Sequence, residues 1–159
     1  MEENVHHQFM RMAISYSRSN ILESLGGPFG AVIVKDNSII AASQNLVLST
    51  NDPTAHAEIS AIRKACQLLK TYDLSGCIIY TSCEPCPMCL GAIYWARLAK
   101  IYYANTKHDA AVIGFDDHFI YEELELVKEQ RQLPSEQILE DEAKVVFDLW
   151  VQSEKKMRY

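Results

Sequence analysis

The stretch CIIYTSCEPCPMCLGAIYWAR, residues 77–97, decides the predicted fold. Its first part, Cys77–Ser82, is an apolar run rich in β-formers, which predicts a strand in the core. A turn punctuated by prolines follows, and a helix is predicted from about Pro87 to Arg97. The cysteines of this stretch therefore stand where a strand gives way to a helix.

The same alternation extends to both sides of this stretch. The apolar pattern predicts an opening amphipathic helix, then a hairpin around the turn signal Asp36-Asn37, and later a helix that leads into Cys77–Ser82. The order strand, helix, strand, helix, strand implies parallel pairing with right-handed crossovers. We therefore expect an α/β fold with a mixed sheet of about five strands and an N-terminal antiparallel hairpin. The predicted ranges are Val5 to about Leu25, Ala31–Lys35, Ser38–Ser43, Ala55 to about Leu69 and Lys100–Ala104.

Beyond residue 105 the periodicity is weaker. Thr106–Phe119 is expected to be an ordered loop, and a helix is predicted over about Ile120–Gln130. Glu136–Leu139 is a candidate last strand, and Asp141–Lys155 has the spacing of a terminal helix. No linker or repeat divides the chain, so residues 1–159 are predicted to form a single catalytic domain.

Bulk composition restricts the classes of function. The 159 residues carry a net charge of −6 and no basic run, which argues against a large nucleic-acid footprint. No apolar run reaches the ~20 residues of a membrane helix, and no signal peptide is recognisable, so we expect a cytoplasmic protein. The five cysteines are an odd number, which argues against a disulfide framework.

Three residues have the spacing and chemistry of zinc ligands. Cys86 and Cys89 share one face of a first helical turn, where free N–H groups and the helix dipole favour the thiolate. His56 stands at the start of the neighbouring helix, at the same edge of the sheet. Three protein ligands leave a fourth position for water, which is typical of a catalytic zinc site. We therefore expect one Zn²⁺ per subunit with a bound water or hydroxide as fourth ligand.

Glu58 is the predicted catalytic residue. It follows His56 by two positions on the first helical turn, which suits a carboxylate that faces the fourth zinc position and carries a proton. The alternative is a closed structural zinc site in which Cys83 is the fourth ligand, and it gives Glu58 no role. The remaining cysteines, Cys66 and Cys77, are expected in the core, and His6 and His7 in solvent. His108 and His118 are expected to be loop histidines, the alternative being that they line the mouth of the site.

His56-Ala57-Glu58 together with Pro85-Cys86-Pro87-Met88-Cys89 matches the H-x-E and P-C-x-x-C signature of nucleobase deaminases. The chain resembles the cytidine deaminase superfamily and, within it, the small bacterial guanine deaminases. The superfamily implies a three-layer α/β/α cytidine-deaminase-like fold. The segments that carry the resemblance are residues 26–36, 51–58 and 81–97, GFDD at 114–117, and FIY at 119–121.

The resemblance implies that guanine and water give xanthine and ammonia in a purine pocket beside the zinc. Its residues would be Phe29 against the flat base, Asn45 hydrogen-bonded to it, the Ala57 backbone at the floor, Trp95 in the wall, and Asp117 as acceptor of guanine N–H groups. Plainer explanations stay open for four of these. Phe29 and Trp95 are alternatively core residues, Asn45 a loop cap, and Asp117 the N-cap of the helix near Phe119.

The resemblance also implies a homodimer. A C-terminal segment of about residues 131–159 would be swapped between subunits and would place Tyr159 over the pocket of the partner, the alternative being a frayed terminus.

The competing functions are a tRNA adenosine deaminase, a deaminase of another base or nucleoside, and a zinc-stabilised binding module. The implied partners are a small purine base and a second copy of the chain, with neither nucleic acid nor membrane.

Overall fold

The sheet is mixed and has four strands in the order β2-β1-β3-β4. The computed structural model describes residues 4–159. β1 pairs antiparallel with both β2 and β3, and β3 pairs parallel with β4. The predicted hairpin is confirmed, and so is the parallel pairing across the second crossover. The strand bounds are Gly30–Lys35 for β1, Ser38–Gln44 for β2, Ile78–Cys83 for β3 and Lys100–Asn105 for β4.

The expectation of about five strands was wrong by one. The candidate strand Glu136–Leu139 is not part of any strand in the described chain, and all four of its residues are exposed. Leu139 has a φ of 53°, a left-handed conformation that a strand does not accommodate, and it directly precedes the last helix. The apolar residues Ile138 and Leu139 therefore lead into the last helix and do not pair with a sheet.

Helices cover both faces of the sheet, which confirms the three-layer prediction. Alternate strand residues point to opposite faces, so Val32, Val34 and Tyr80 pack against the first helix, whereas Ile33 and Ile79 pack on the other side. The first helix, α1, spans Val5–Leu22. A short helix α2 spans Val47–Thr50, and the second layer is formed by α3 at Ala57–Leu69 and α4 at Pro87–Trp95.

Helix α1 lies unusually close to β1. A Cβ added at Gly30 would stand 2.2 Å from the carbonyl oxygen of Ala13 and 2.7 Å from the backbone nitrogen of Ser17. Gly30 is therefore the residue that lets the helix backbone approach the start of the sheet. This approach brings the end of α1 next to the loop that leads into β1.

The expectation that His6 is solvated was wrong. Its Nδ1 lies 2.6 Å from the Tyr80 hydroxyl, and its ring stacks on Tyr102 with centroids 4.7 Å apart. Tyr80 and Tyr102 belong to β3 and β4. The sequence pattern around His6 therefore gives no sign of these contacts. His7, one position along the helix, is exposed as predicted.

The described chain divides after Phe119 into two compact units. In the first, the predicted ordered loop contains helix α5, Lys107–Val112, which begins with a capping box between Thr106 and Asp109. The second comprises most of α6, His118–Glu125, then a 3₁₀ turn at Lys128–Gln130 and α7 at Glu140–Gln152. The single-domain prediction with a swapped segment stays a prediction. No helix among the described residues is long and apolar enough to cross a membrane.

Candidate active site

His56 is held at the entrance of helix α3 by the loop before it. The Asp52 carboxylate accepts hydrogen bonds from the backbone N–H of Thr54 at 2.8 Å and from its hydroxyl at 2.7 Å. His56 then has extended backbone, φ −62° and ψ 160°, and occupies the N-cap position of α3. Its side chain makes no capping hydrogen bond. The imidazole is therefore available to ligands other than its own helix.

Cys86 and Cys89 converge on the His56 ring. Cys86 is the N-cap residue of α4, and Cys89 lies in the first turn of the same helix. Nδ1 of His56 is 3.6 Å from Sγ of Cys86 and 3.5 Å from Sγ of Cys89. All three ligand atoms lie within 4.8 Å of one another. Among the described residues, this is the group of three whose donor atoms are close enough to share a metal ion.

The electrostatics of this cluster fit a divalent metal. The hydrogen bond from Cys89 and, after it, the one from His56 lower the pKa of Cys86 to about 4. The Cys86 sulfur in turn raises the pKa of Cys89, and it also raises that of His56. One thiolate is thus surrounded by protons that a metal ion would replace. Two sulfurs and one imidazole nitrogen are donors that suit zinc.

Cys83 lies outside the cluster. It ends β3, and its thiol donates to the backbone carbonyl of Thr106 at 3.5 Å. Burial raises the pKa of Cys83 to about 11, so this group stays a thiol at neutral pH. Cys77 is buried in the core and Cys66 packs against it, as predicted, and all five cysteines are free thiols. The donor set therefore has three members, and the closed four-ligand alternative has no support.

Glu58 is buried and interacts with all three residues of the cluster. It lies in the first turn of α3, and only 6% of it is exposed. Burial raises the pKa of its carboxyl group. Oε1 lies 3.4 Å from the hydroxyl of Thr81, which itself donates to the carbonyl of Cys83 at 2.7 Å. A buried carboxyl group with a raised pKa beside a metal-binding cluster is suited to accept and release a proton.

Phe29 and Asn45 come from different segments and are joined by their backbones. The N–H of Asn45 donates to the carbonyl of Phe29 at 3.0 Å. Phe29 is half-buried, and its ring meets the edge of Phe115 at a centroid distance of 4.9 Å. Oδ1 of Asn45 accepts the N–H of Val47 at 3.1 Å, so the loop-cap alternative is correct for this oxygen. That bond orients the amide and leaves Nδ2 as the group that can donate to a ligand.

Asp117 is part of the electrostatic environment of the cluster. Burial raises the pKa of Asp117, and the Cys86 sulfur adds to the rise. Its charge also acts on His56. The neighbouring Asp116 accepts the backbone N–H of His118, the first residue of α6, at 2.9 Å. The Asp117 carboxyl group therefore shares the electrostatic environment of the cluster, and its roles as a substrate acceptor or as an N-cap stay predictions.

The comparisons with known proteins agree with this geometry. The family description of the cytidine and deoxycytidylate deaminase zinc-binding region matches residues 3–105, which contain the His56, Cys86 and Cys89 cluster and Glu58. The chain belongs to the cytidine and deoxycytidylate deaminase family.

Members of this family resemble the chain over different lengths. The chain is 51% identical to the guanine deaminase of Bacillus subtilis over 97% of its own length and 99% of that protein. The crystal structure of a Bacillus subtilis guanine deaminase matches 99% of both chains with a TM-score of 0.95. A guanine deaminase from Nitrosomonas europaea matches 69% of this chain and 63% of its own, with 37% identity and a TM-score of 0.65. The tRNA-specific adenosine deaminase of Agrobacterium fabrum is 45% identical over 65% of this chain and 66% of its own length. The predicted resemblance to bacterial guanine deaminases is confirmed.

The three remaining residues of the predicted pocket differ in how far they are exposed. Ala57 is fully buried at the first position of α3, next to His56. Trp95 ends α4 with 68% of its surface exposed in the described chain, so the alternative that it is a core residue is wrong. Tyr159 is exposed and belongs to the second unit. Their roles toward a substrate stay predictions.

The sequence analysis missed two residues of the site. Thr81 is a buried polar residue of β3 that contacts Glu58. Its position in phase with Ile79, on the face that carries α3, is the signal that could have found it. Phe115 belongs to the GFDD stretch, and a Cβ added at Gly27 would be 3.2 Å from its ring and 3.1 Å from that of Phe29. The close approach of both rings to Gly27 can be seen only in the folded structure.

Proposed function

We propose that this protein hydrolyses guanine to xanthine and ammonia. The observation that carries the proposal is the buried Glu58, which lies beside the three-residue cluster of His56, Cys86 and Cys89. The match to a guanine deaminase over the whole chain supports guanine as the substrate. In the reaction, a C–O bond to water forms, the bond from the ring carbon to its amino nitrogen breaks, and ammonia leaves.

His56, Cys86 and Cys89 would hold Zn²⁺ through Nδ1 and the two sulfurs. When bound, zinc lowers the pKa of a water molecule and so supplies a nucleophile at neutral pH. In the absence of zinc, the cluster binds protons in its place, which is why the pKa of Cys86 falls while that of Cys89 rises. Metal binding by this cluster is therefore expected to release protons.

Glu58 is proposed as the catalytic residue, acting through its carboxylate oxygens. The carboxylate accepts the proton that the attacking water loses and delivers it to the departing amine. Burial raises the pKa of Glu58 and so makes its protonated form easier to reach than that of an exposed carboxyl group, which suits a proton carrier. Thr81 limits the positions that Oε1 can take, because the hydroxyl lies 3.4 Å away on a rigid strand.

The base would be bound by four side chains and one backbone segment. We propose that Phe29 stacks on the ring, Asn45 donates through Nδ2, Asp117 accepts from guanine N–H groups, the Ala57 backbone forms the floor, and Trp95 lines the wall. Asp117 is the group that favours guanine, because a carboxylate suits an edge that presents N–H donors. A buried acceptor left unpaired by the wrong base would discriminate against that base.

The main competing function is deamination of adenosine in tRNA. The tRNA-specific relative matches about two thirds of the chain, whereas the guanine deaminase of Bacillus subtilis matches almost all of it. The net charge of −6 also opposes binding of a phosphate backbone. Both observations favour a free base over tRNA.

We further propose a homodimer in which the C-terminal segment is swapped and Tyr159 reaches the pocket of the partner subunit. Helix α7 has no buried residue in the single described chain. Its apolar side chains are exposed, Phe147 by 73% and Trp150 by 47%. An amphipathic helix with an uncovered apolar side is typical of a segment that packs against a partner.

The experiment that tests the proposed function is ammonia release from a panel of substrates. Guanine, adenine, cytosine, guanosine and a tRNA are each incubated with the zinc-loaded protein. We expect guanine to give a kcat/KM at least about a hundredfold above each of the others, the range that a site with buried polar partners reaches. No ammonia from guanine would refute the proposal, and release from tRNA alone would establish the competing function.

A further inference from the structure

Asn20 is a fully buried polar residue that the proposed mechanism does not use. It lies in the last turns of α1 and has no exposed surface. Its Nδ2 donates two hydrogen bonds, to the carbonyl of Gly27 at 2.7 Å and to the carbonyl of Asn45 at 3.0 Å. Both N–H bonds of the carboxamide are thus directed at backbone oxygens that lie far apart in the sequence.

Those two carbonyls belong to the two segments that carry the proposed base-binding side chains. Gly27 precedes Phe29 by two residues in the loop before β1, and Asn45 follows β2. The same segments meet directly, since the N–H of Asn45 donates to the carbonyl of Phe29 at 3.0 Å. Asn20 therefore ties Phe29 and Asn45 to each other and to the end of α1.

The loop at Gly26 packs tightly against Asn20 and Asn45. A Cβ added at Gly26 would lie 3.1 Å from Nδ2 of Asn20 and 3.2 Å from the carbonyl oxygen of Asn45. Oδ1 of Asn20 has no hydrogen-bond partner among the described residues, although it is buried. A side chain that only filled this space would be better apolar, because a buried acceptor without a partner costs stability. The two donors of Asn20 are thus the reason for a carboxamide at this position.

We propose that Asn20 is a positioning residue for the base-binding site and sets the separation between Phe29 and Asn45. The inference rests on the proposed function, because it takes these two residues to bind the base. The two hydrogen bonds of the Asn20 side chain go to Gly27 and Asn45, and neither reaches Glu58 or the three zinc ligands. Its loss should therefore weaken binding of the base in the ground state and transition state alike, and leave the chemical step unchanged.

The test uses steady-state kinetics of the zinc-loaded protein with guanine. Asn20→Asp has the same size, but it replaces the two donors by an oxygen that faces two carbonyls. We expect KM to rise about tenfold or more while kcat stays within threefold and the zinc content is unchanged. The matched control is Tyr80→Phe, which removes the contact of a buried hydroxyl with His6 at the other end of α1. The control should keep KM within twofold of the wild type.

The outcomes separate the two proposals. A wild-type protein that releases no ammonia from guanine refutes the proposed function. An active wild type whose Asn20→Asp variant has an unchanged KM, or loses kcat alone, shows that Asn20 has a merely structural role and overturns the inference. If Asn20→Asp does not fold, Asn20→Ser is measured, since its hydroxyl retains one donor. A KM raised about threefold or more supports the inference, and any smaller change overturns it.

Discussion

Oε1 of Glu58 lies 3.4 Å from the hydroxyl of Thr81, and both residues are buried. The hydroxyl is directed at two acceptors, Oε1 of Glu58 and the carbonyl of Cys83, which is nearer at 2.7 Å. Thr81 thus links the proposed proton carrier to the end of β3 and helps to hold it in place.

Replacement of Thr81 by valine should slow the reaction. Thr81→Val keeps the shape of the side chain and removes the hydroxyl, so we expect kcat with guanine to fall about tenfold, equivalent to the loss of one hydrogen bond of ~1.4 kcal/mol. Thr81→Ser is the matched control, because it retains the hydroxyl and should stay within threefold of the wild type. Zinc content is measured in parallel and should not change. Equal kcat values for the valine and serine variants would refute this role.

Zinc content should separate Cys83 from Cys89. Cys89→Ser removes a sulfur of the three-residue cluster, and we expect purified protein with well below 0.2 zinc ions per chain, since a lost ligand typically lowers metal affinity by orders of magnitude. Cys83→Ser changes a thiol that contacts Thr106, and it should retain about one zinc ion per chain. Elemental analysis of both proteins gives the result. Zinc loss from the Cys83 variant would restore the four-ligand alternative.

Asp117 should control recognition of guanine. Asp117→Asn replaces one acceptor oxygen by a donor, and a charged hydrogen bond of ~2 kcal/mol predicts a fall in kcat/KM of about thirtyfold. Asp116→Asn keeps an oxygen for the N–H of His118 and should remain within threefold of the wild type. Initial rates over a range of guanine concentrations give both values. Equal losses in the two variants would show that the loop is important and Asp117 itself is not.

A swapped C-terminus predicts that two inactive proteins complement each other. One parent carries Glu58→Gln, and the other lacks residues 155–159 and so has no Tyr159. In a swapped heterodimer, one site would combine an intact Glu58 with Tyr159 from the partner subunit. We therefore expect co-expressed, doubly tagged heterodimers to recover about half of the wild-type rate per dimer. A rate no higher than that of the two parents would remove the swap from the proposal.

The metal cluster and the main strands could be predicted from the sequence because the signals are local. Cys86 and Cys89 are three residues apart at a helix start, so their spacing alone places both sulfurs on one face. The hairpin of β1 and β2 follows from the apolar run before the turn signal Asp36-Asn37 and the returning strand after it. Helix α5 also had a local signal, the Thr106-x-x-Asp109 capping box, which the periodicity argument did not use.

The remaining features depend on contacts between distant parts of the chain. His6 is not solvated because Tyr80 and Tyr102, more than seventy residues later, receive its ring. Trp95 could not be assigned to a face, since α4 is apolar on nearly all sides and its pattern does not separate inside from outside. In the sequence, Asn20 is one polar residue of an amphipathic helix. Its hydrogen bonds to Gly27 and Asn45 exist only in the folded chain.

Ammonia release from guanine by the Glu58→Gln variant decides whether Glu58 is the proton carrier. Glutamine keeps the size of the side chain and removes its ability to accept and release a proton. We expect the variant to hold the same zinc content as the wild type and its kcat to fall at least about a thousandfold, within the range for loss of general acid–base catalysis. A zinc-loaded variant that turns over guanine within tenfold of the wild-type rate would show that Glu58 does not carry the proton.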